Sequence, residues 1–303
     1  MRISTSSLFD NAGSRLSDLQ ARAEQTITQI SAGTKMMSPA DDPVAAARAL
    51  AVQQSASTND QFARNRLNVS NVQGITDGTL SSMVDTLQSI QSQVVGAGNG
   101  VLSDSDRASI ASALQGQYDQ LLALANTTDG AGHYLFSGLQ TSTLPYTANA
   151  SGVMSYNGDA NTQMVQVDTS RTMAITTPGS NLFPGGNAAN VFANLQAAIA
   201  DLKIPGSTQT HSTALNLVGQ SLSDTLTSIY TVQSRVGTNM AEIDKINTLG
   251  QDKQLQYAQT LKDLQDLDYN KALSDLSRQQ TVLTAAQKSF QQISQMSLFN
   301  YIN

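Results

Sequence analysis

Few side chains in this chain have the type and spacing that chemistry requires. His133 and His211 stand in separate turn-forming stretches, and neither has a second ligand or a nucleophile beside it at metal-binding or triad spacing. Asp263, Asp266 and Asp268 offer carboxylates for general acid and base work. In an expected helix, however, Asp266 and Asp268 fall on different faces, which reads as solvated or interface charge rather than a coupled pair. Gly96-Ala97-Gly98-Asn99-Gly100 is glycine-rich, yet the Lys-Ser/Thr that completes a phosphate loop does not follow. Asp159-Ala160-Asn161 starts as a calcium loop starts, without the later glycine and glutamate. With no cysteine there is no thiolate ligand, Cys nucleophile or disulfide. The residues therefore predict no catalytic, metal or cofactor site and no enzyme. Function is expected in assembly.

Composition narrows the partners. Only 13% of residues are charged, and Ser, Thr, Asn, Gln and Ala take their place, which suits close packing of similar surfaces. A net charge of -6 with no Lys or Arg cluster predicts no nucleic-acid partner. No apolar run approaches the length of a membrane span, so no membrane insertion is expected. The opening Met1-Arg2-Ile3-Ser4-Thr5-Ser6 lacks the apolar core of a cleaved secretory leader.

The elements that must carry such an assembly are long helices. From about Leu215 to Phe299 apolar residues recur at three and four, with a seven-residue step from Leu276 to Leu283 to Phe290 and on towards Ile293. At about 1.5 Å per residue this stretch outruns a small domain, so its stripe needs partners from the N-terminal half, from other subunits, or from both. Residues 7 to 32 read as a matching helix whose face is Leu8, Ala12, Leu16, Leu19, Ala23, Ile27 and Ile30. Its natural partner is the seam from Leu276 to Ile293, which divides the C-terminal stretch near Lys262 to Ala272. The earlier part is expected to pack in a trunk, and the later part, through Leu298 and Phe299, to complete its folding on assembly.

Between these seams the chain breaks at Gly33, a helix stop, and restarts at Asp41-Asp42-Pro43, with either aspartate as N-cap and Pro43 in the first turn. Arg48, one turn inside, is placed to pair with Asp41, Asp42 or another subunit. A helix is expected from Val44 to about Val95, and a third after Ser103-Asp104-Ser105-Asp106-Arg107. Tyr134–Ser137, Val153–Tyr156, Met164–Val167 and Thr172–Ile175 are β-prone and separated by turn clusters, which predicts one modest sheet. A helix over Val191–Leu202 and a loop over Lys203–Thr213 follow.

The predicted fold is mainly α: an elongated antiparallel helical bundle with terminal coiled-coil helices and a small β-rich inserted domain, α+β overall. Residues 1–40 and 268–303 form a terminal coiled-coil part, 41–133 and 187–267 a helical trunk, and 134–186 an outward-facing insertion.

Several of these stretches carry a resemblance. Ile30-Ser31-Ala32-Gly33-Thr34-Lys35, Ser38-Pro39-Ala40-Asp41-Asp42-Pro43 and Ala45-Ala46-Ala47-Arg48-Ala49-Leu50 resemble the N-terminal signature of the flagellin-like family, which holds bacterial flagellins and flagellar hook-filament junction proteins. Gly132-His133-Tyr134-Leu135-Phe136-Ser137-Gly138 and Ser294-Gln295-Met296-Ser297-Leu298-Phe299-Asn300-Tyr301-Ile302 are similar to the junction branch. Met36-Met37 departs from the basic and aliphatic pair usual there, and implies a flexible methionine buried at a subunit interface.

The resemblance implies a structural, extracellular part of the flagellum, exported through the type III apparatus after a transient cytoplasmic stage. It also implies four partners: flagellin, the adjacent hook-associated junction protein, copies of itself in a ring, and an export chaperone at the C-terminal region. A flagellin-type filament subunit and a non-flagellar coiled-coil binding or adhesive protein remain as alternative readings.

Overall fold

A computed structural model of the chain describes residues 2–148, 154–184, 190–206 and 208–302; the side chains at 2–6, 8, 9, 208–211 and 293–302 lie outside that description. Helices occupy the stretches where apolar residues recur at three and four. They are α1 (Arg2–Ala32), α2 (Pro43–Ala97), α3 (Asp104–Ala125), α4 (Val191–Leu202), α5 (Thr208–Gln265) and α6 (Tyr269–Ile302). Strands β1 (Tyr146–Ala148), β2 (Met154–Tyr156), β3 (Met164–Asp168) and β4 (Arg171–Ala174) fill the insertion. The chain is mainly α with a small β part, as its patterning predicts.

Local chemistry sets the ends. Gly33 takes φ +73°, a conformation that costs other residues a Cβ clash, and α1 stops before it. Ser103 caps α3 through the N–H of Asp106, whose carboxylate accepts the Ser103 N–H in return, closing a capping box. Asn190 caps α4 through the N–H of Ala193. No helix of the described residues is long and apolar enough to cross a membrane.

Four local expectations are corrected. Tyr134–Ser137 is not a strand but a turn, with one isolated bridge from Tyr134 to Thr128. Leu135 and Phe136 are both buried although adjacent, an arrangement that a strand with alternating faces does not permit. The β region holds two separate two-stranded antiparallel ladders, β1–β2 and β3–β4, rather than one sheet. Helix α5 begins at Thr208, so the backbone of His211 lies in a helix and not in a loop. Asp266 and Asp268 fall in the break between α5 and α6, not within a helix.

Backbone contacts divide the chain into two compact units, residues 59–251 and residues 1–58 with 252–303. In the first, α2 buries two heptad lines, Asn59, Arg66, Gln73, Leu80, Leu87 and Val94 beside Phe62, Val69, Thr76, Met83, Ile90 and Ala97. Helix α5 answers with Leu215, Leu222, Ile229, Val236 and Ile243, again seven apart. The bonds Gln233 Nε2 to Ser81 Oγ (3.1 Å) and Gln88 Nε2 to Tyr230 Oη (3.3 Å) show the two helices running antiparallel.

Helices α3 and α4 and the β1–β2 hairpin complete this core, in which Tyr118, Tyr146, Phe183 and Phe192 stack with ring centroids 4.8–5.9 Å apart. Burial pushes the Tyr146 hydroxyl well above its ordinary pKa, so the ring serves as packing. The Gly132–Gly138 turn is held into the same core. Phe136 O accepts from Gly179 N at 2.8 Å and from Tyr156 Oη at 2.9 Å.

Candidate assembly interface

In the unit formed by residues 1–58 and 252–303, α1 and α6 pack together along one narrow line. On α1 the covered positions are Ala12, Leu16, Leu19, Ala23, Thr26 and Ile30, and on α6 they are Ala272, Leu276, Gln279, Leu283, Ala286 and Phe290. Both follow alternating steps of four and three, the 3.5-residue repeat of a coiled-coil seam. Only Ala23, Thr26 and Ala272 are buried; Leu16, Leu19, Ile30, Leu276, Leu283 and Phe290 are half-buried. Two helices alone leave these leucines partly in water, so the line has apolar area still to bury.

One predicted seam residue falls off this line. Ile27 is 49% exposed, and Thr26 takes the inward position. The strict alternation from Ala23 to Ile30 passes through 26, and the Thr26 hydroxyl lies 3.0 Å from Arg22 O and 3.1 Å from Gln279 Oε1, so its polarity is satisfied in the seam. A 3.5-residue register drawn through Ala12, Leu16, Leu19 and Ala23 would have found Thr26. The backbones at Leu8, Ile293, Leu298 and Phe299 belong to α1 and α6, while their side chains lie outside the described residues.

The joint is built where α1 and α5 end and α2 and α6 begin. Thr34 and Asp266 form an antiparallel bridge, with Lys35 N to Gln265 O at 2.9 Å and Leu267 N to Gly33 O at 3.0 Å. The Lys35 ammonium donates to Asp263 O at 2.8 Å, satisfying a carbonyl in the last turn of α5. Asp268 accepts from Lys271 N at 3.1 Å and so starts α6. Sequence reasoning missed the roles of Lys35 and Asp268, although an acidic residue just ahead of Tyr269 has the form of a cap.

The two aspartates divide their work. Asp42 Oδ1 accepts from Ala45 N at 2.9 Å and is the N-cap of α2, with Pro43 in the first helical position. Asp41 Oδ2 accepts from Ser38 N at 2.9 Å and Met37 N at 2.8 Å, closing the preceding turn. Those N–H groups, Ser38 first and then Met37, hold the Asp41 carboxyl below its ordinary pKa. Arg48 is exposed, and no ion pair joins it to Asp41 or Asp42. Asp42→Ala is expected to lose about 0.5–2 kcal/mol, read as a lowered urea midpoint for the full chain. An unchanged midpoint would remove the cap assignment.

Beside this turn lies an open groove of about 630 Å3 walled by Met36, Met37, Pro39, Pro43, Ala46 and Leu50. Leu50 in its wall is 68% exposed, so the groove presents apolar surface to solvent. No group of three or more His, Cys, Asp or Glu residues that could hold a metal occurs among the described residues. The geometry offers apolar surface and directed backbone groups, which is the chemistry of association.

Comparison with known proteins points the same way. The bacterial flagellin N-terminal helical region matches residues 3–141. The flagellar hook-associated protein 3 of Escherichia coli strain K12 is 35% identical over 316 aligned positions covering 99% of both chains. The chain belongs to the flagellar hook-associated protein 3 family. The Salmonella typhimurium strain LT2 member is 34% identical, also over 99% of both chains. A solved flagellar hook-associated protein from Vibrio parahaemolyticus shares the fold at TM-score 0.70 and 23% identity, with all of that chain matched to 75% of this one. A quarter of the present chain thus has no counterpart in that structure.

Proposed function

We propose that this chain is a structural subunit of the bacterial flagellum that forms the junction between the adjacent hook-associated protein and the flagellin filament. The end-to-end identity with hook-associated protein 3 carries the reading. The incompletely buried seam and the apolar joint groove support it, since both leave surface that a neighbouring subunit would cover.

In this reading residues 1–40 and 268–303 pair fully only in the assembled tube, residues 41–133 and 187–267 make the trunk, and 134–186 face outward. Leu8, Leu16, Leu19, Ile27, Ile30, Leu276, Leu283, Phe290, Ile293, Leu298 and Phe299 form the assembly seam, Ile27 from outside the intrachain line. Met36, Asp41, Asp42, Pro43 and Arg48 form the joint that touches neighbours. Copies associate in a ring, the C-terminal region meets an export chaperone, and the subunit passes through the type III apparatus from the cytoplasm to the cell exterior. Its mechanism is geometric, the matching of two tubular lattices, with no reaction catalysed.

Deleting the gene tests this. Motility should be lost and monomeric flagellin should appear in the medium, with both reversed by the full-length chain supplied in trans. Filaments that stay attached in the deletion strain would reject the junction role.

A further inference from the structure

The heptad of α2 changes character halfway along. One of its two buried lines is apolar at Leu80, Leu87 and Val94 but polar at Asn59, Arg66 and Gln73, all three buried. Each polar residue donates to a main-chain carbonyl on another element. Asn59 Nδ2 meets Gly250 O at 2.9 Å, Arg66 Nη1 meets Val167 O at 3.0 Å and Gln73 Nε2 meets Ala174 O at 2.9 Å. Val167 and Ala174 lie on β3 and β4, and Asn65 Nδ2 adds a bond to Gln166 O at 2.7 Å. The hairpin is thus seated at three points on α2, and at its far end Arg171 Nε pairs with Glu242 Oε1 on α5 at 2.7 Å.

The apolar contact beneath the hairpin is much smaller than the main core. Val69, Val167, Met173, Ile175 and Ile243 form a cluster that Val72 links to the main core. The seat is also imperfectly satisfied, because Gln73 Oε1 is buried with no hydrogen-bond partner. Polar residues at heptad core positions give up stability and fix register, since each must meet its own partner. Exposing them to water costs little, because water replaces the lost bonds; parting the apolar half of the heptad has no such compensation.

We propose that the β3–β4 hairpin is a clasp on a polar seat. It opens from α2 as a unit while the Leu80–Val94 half of the helix stays packed, and it can close again in only one register. The polar positions Arg66 and Gln73 make it releasable, and the spacing of their carbonyl partners on β3 and β4 makes it return to the same place.

Hydrogen exchange of the full-length protein at neutral pH, followed by mass spectrometry, tests this. Amides of residues 164–175 should exchange through an opening that leaves residues 80–94 protected. Arg66→Met should speed hairpin exchange about 10- to 100-fold, with residues 80–94 still exchanging more slowly than the hairpin. Asn65→Ala removes a partly exposed bond and leaves the buried seat whole, so it answers the same question if the Arg66 variant does not fold; it should speed the hairpin about 2- to 10-fold. Equal protection of the hairpin and residues 80–94 in the parent, or hairpin exchange unchanged in both variants, would overturn the proposal.

Discussion

Alanine at Gly250 should destabilise the 59–251 unit by about 1–3 kcal/mol, opposite in sign to the usual effect of this substitution in a helix. Gly250 lies inside α5, where alanine is ordinarily the better helix former by about 1 kcal/mol. Here a Cβ would meet the guanidinium of Arg66, with Cζ at 3.0 Å. An arginine tip normally swings aside at little cost. This one is 2% exposed, its Nη1 is bonded to Val167 O, and its Nε lies 3.4 Å from Asn247 Oδ1.

Burial, only partly offset by the charge of Asp168, pulls the Arg66 pKa below its ordinary value, which marks how little water reaches the group. Displacing it leaves a charged donor and a strand carbonyl without each other. Urea unfolding should show a lower midpoint at constant slope. Gly250→Ala combined with Arg66→Met should cost less than the sum of the two, because the shorter head no longer meets the methyl group. Gly237, on the same helix with open space at its Cβ, is the control: alanine there should be neutral or stabilising. A Gly250→Ala variant as stable as the parent would remove Arg66 from its structural role.

Met36→Asp should abolish assembly at the hook-filament junction while leaving the isolated chain as stable as before. Met36 is half-buried in the wall of the joint groove, with Met37 and Leu50 beside it, and it supports no cap or bridge through its side chain. A charge there costs the monomer about 0.5 kcal/mol or less. In a polymer that buries the groove, each subunit would lose about 1.5–3 kcal/mol of apolar burial and strand a carboxylate away from water, and the penalty repeats at every copy. The readout is motility and flagellin release when the variant replaces the parent in a deletion strain, with the thermal midpoint of the purified chain as its companion. Swimming cells would show that the groove stays open to solvent in the assembly. Leu50→Asp should behave the same way, since the two residues line one surface.

Much of this was legible because it is local. Gly33 as a stop, Pro43 in a first turn and the Ser103–Asp106 capping box each depend on a few neighbouring residues, so the end of α1 and the starts of α2 and α3 follow from the chain alone, whereas α1 begins at Arg2 and not at residue 7. Helix α5 ends at Gln265 and α6 begins at Tyr269, a break within Lys262–Ala272. Tyr134–Ser137 reads as extended because its aromatic and aliphatic content matches a strand. Its actual course is decided by Gly179 and Tyr156, far along the chain, which take the Phe136 carbonyl.

The candidate site divides in the same way. Asp41, Asp42 and Pro43 could be assigned to the joint by sequence, but which aspartate caps and which closes the turn depends on where the N–H groups of Ala45, Met37 and Ser38 point. Leu16, Leu19, Leu276 and Leu283 lie on the line where α1 meets α6, and Thr26 rather than Ile27 takes the inward position because the 3.5-residue alternation from Ala23 to Ile30 passes through 26. Sequence by itself determined the helical class, the positions of the breaks and, through residues 30–50 and the two ends, the family. Only the tertiary structure decided which polar residues go inside. Asn59, Arg66 and Gln73 can be buried because carbonyls brought from distant parts of the chain satisfy them, and no local pattern records such partners.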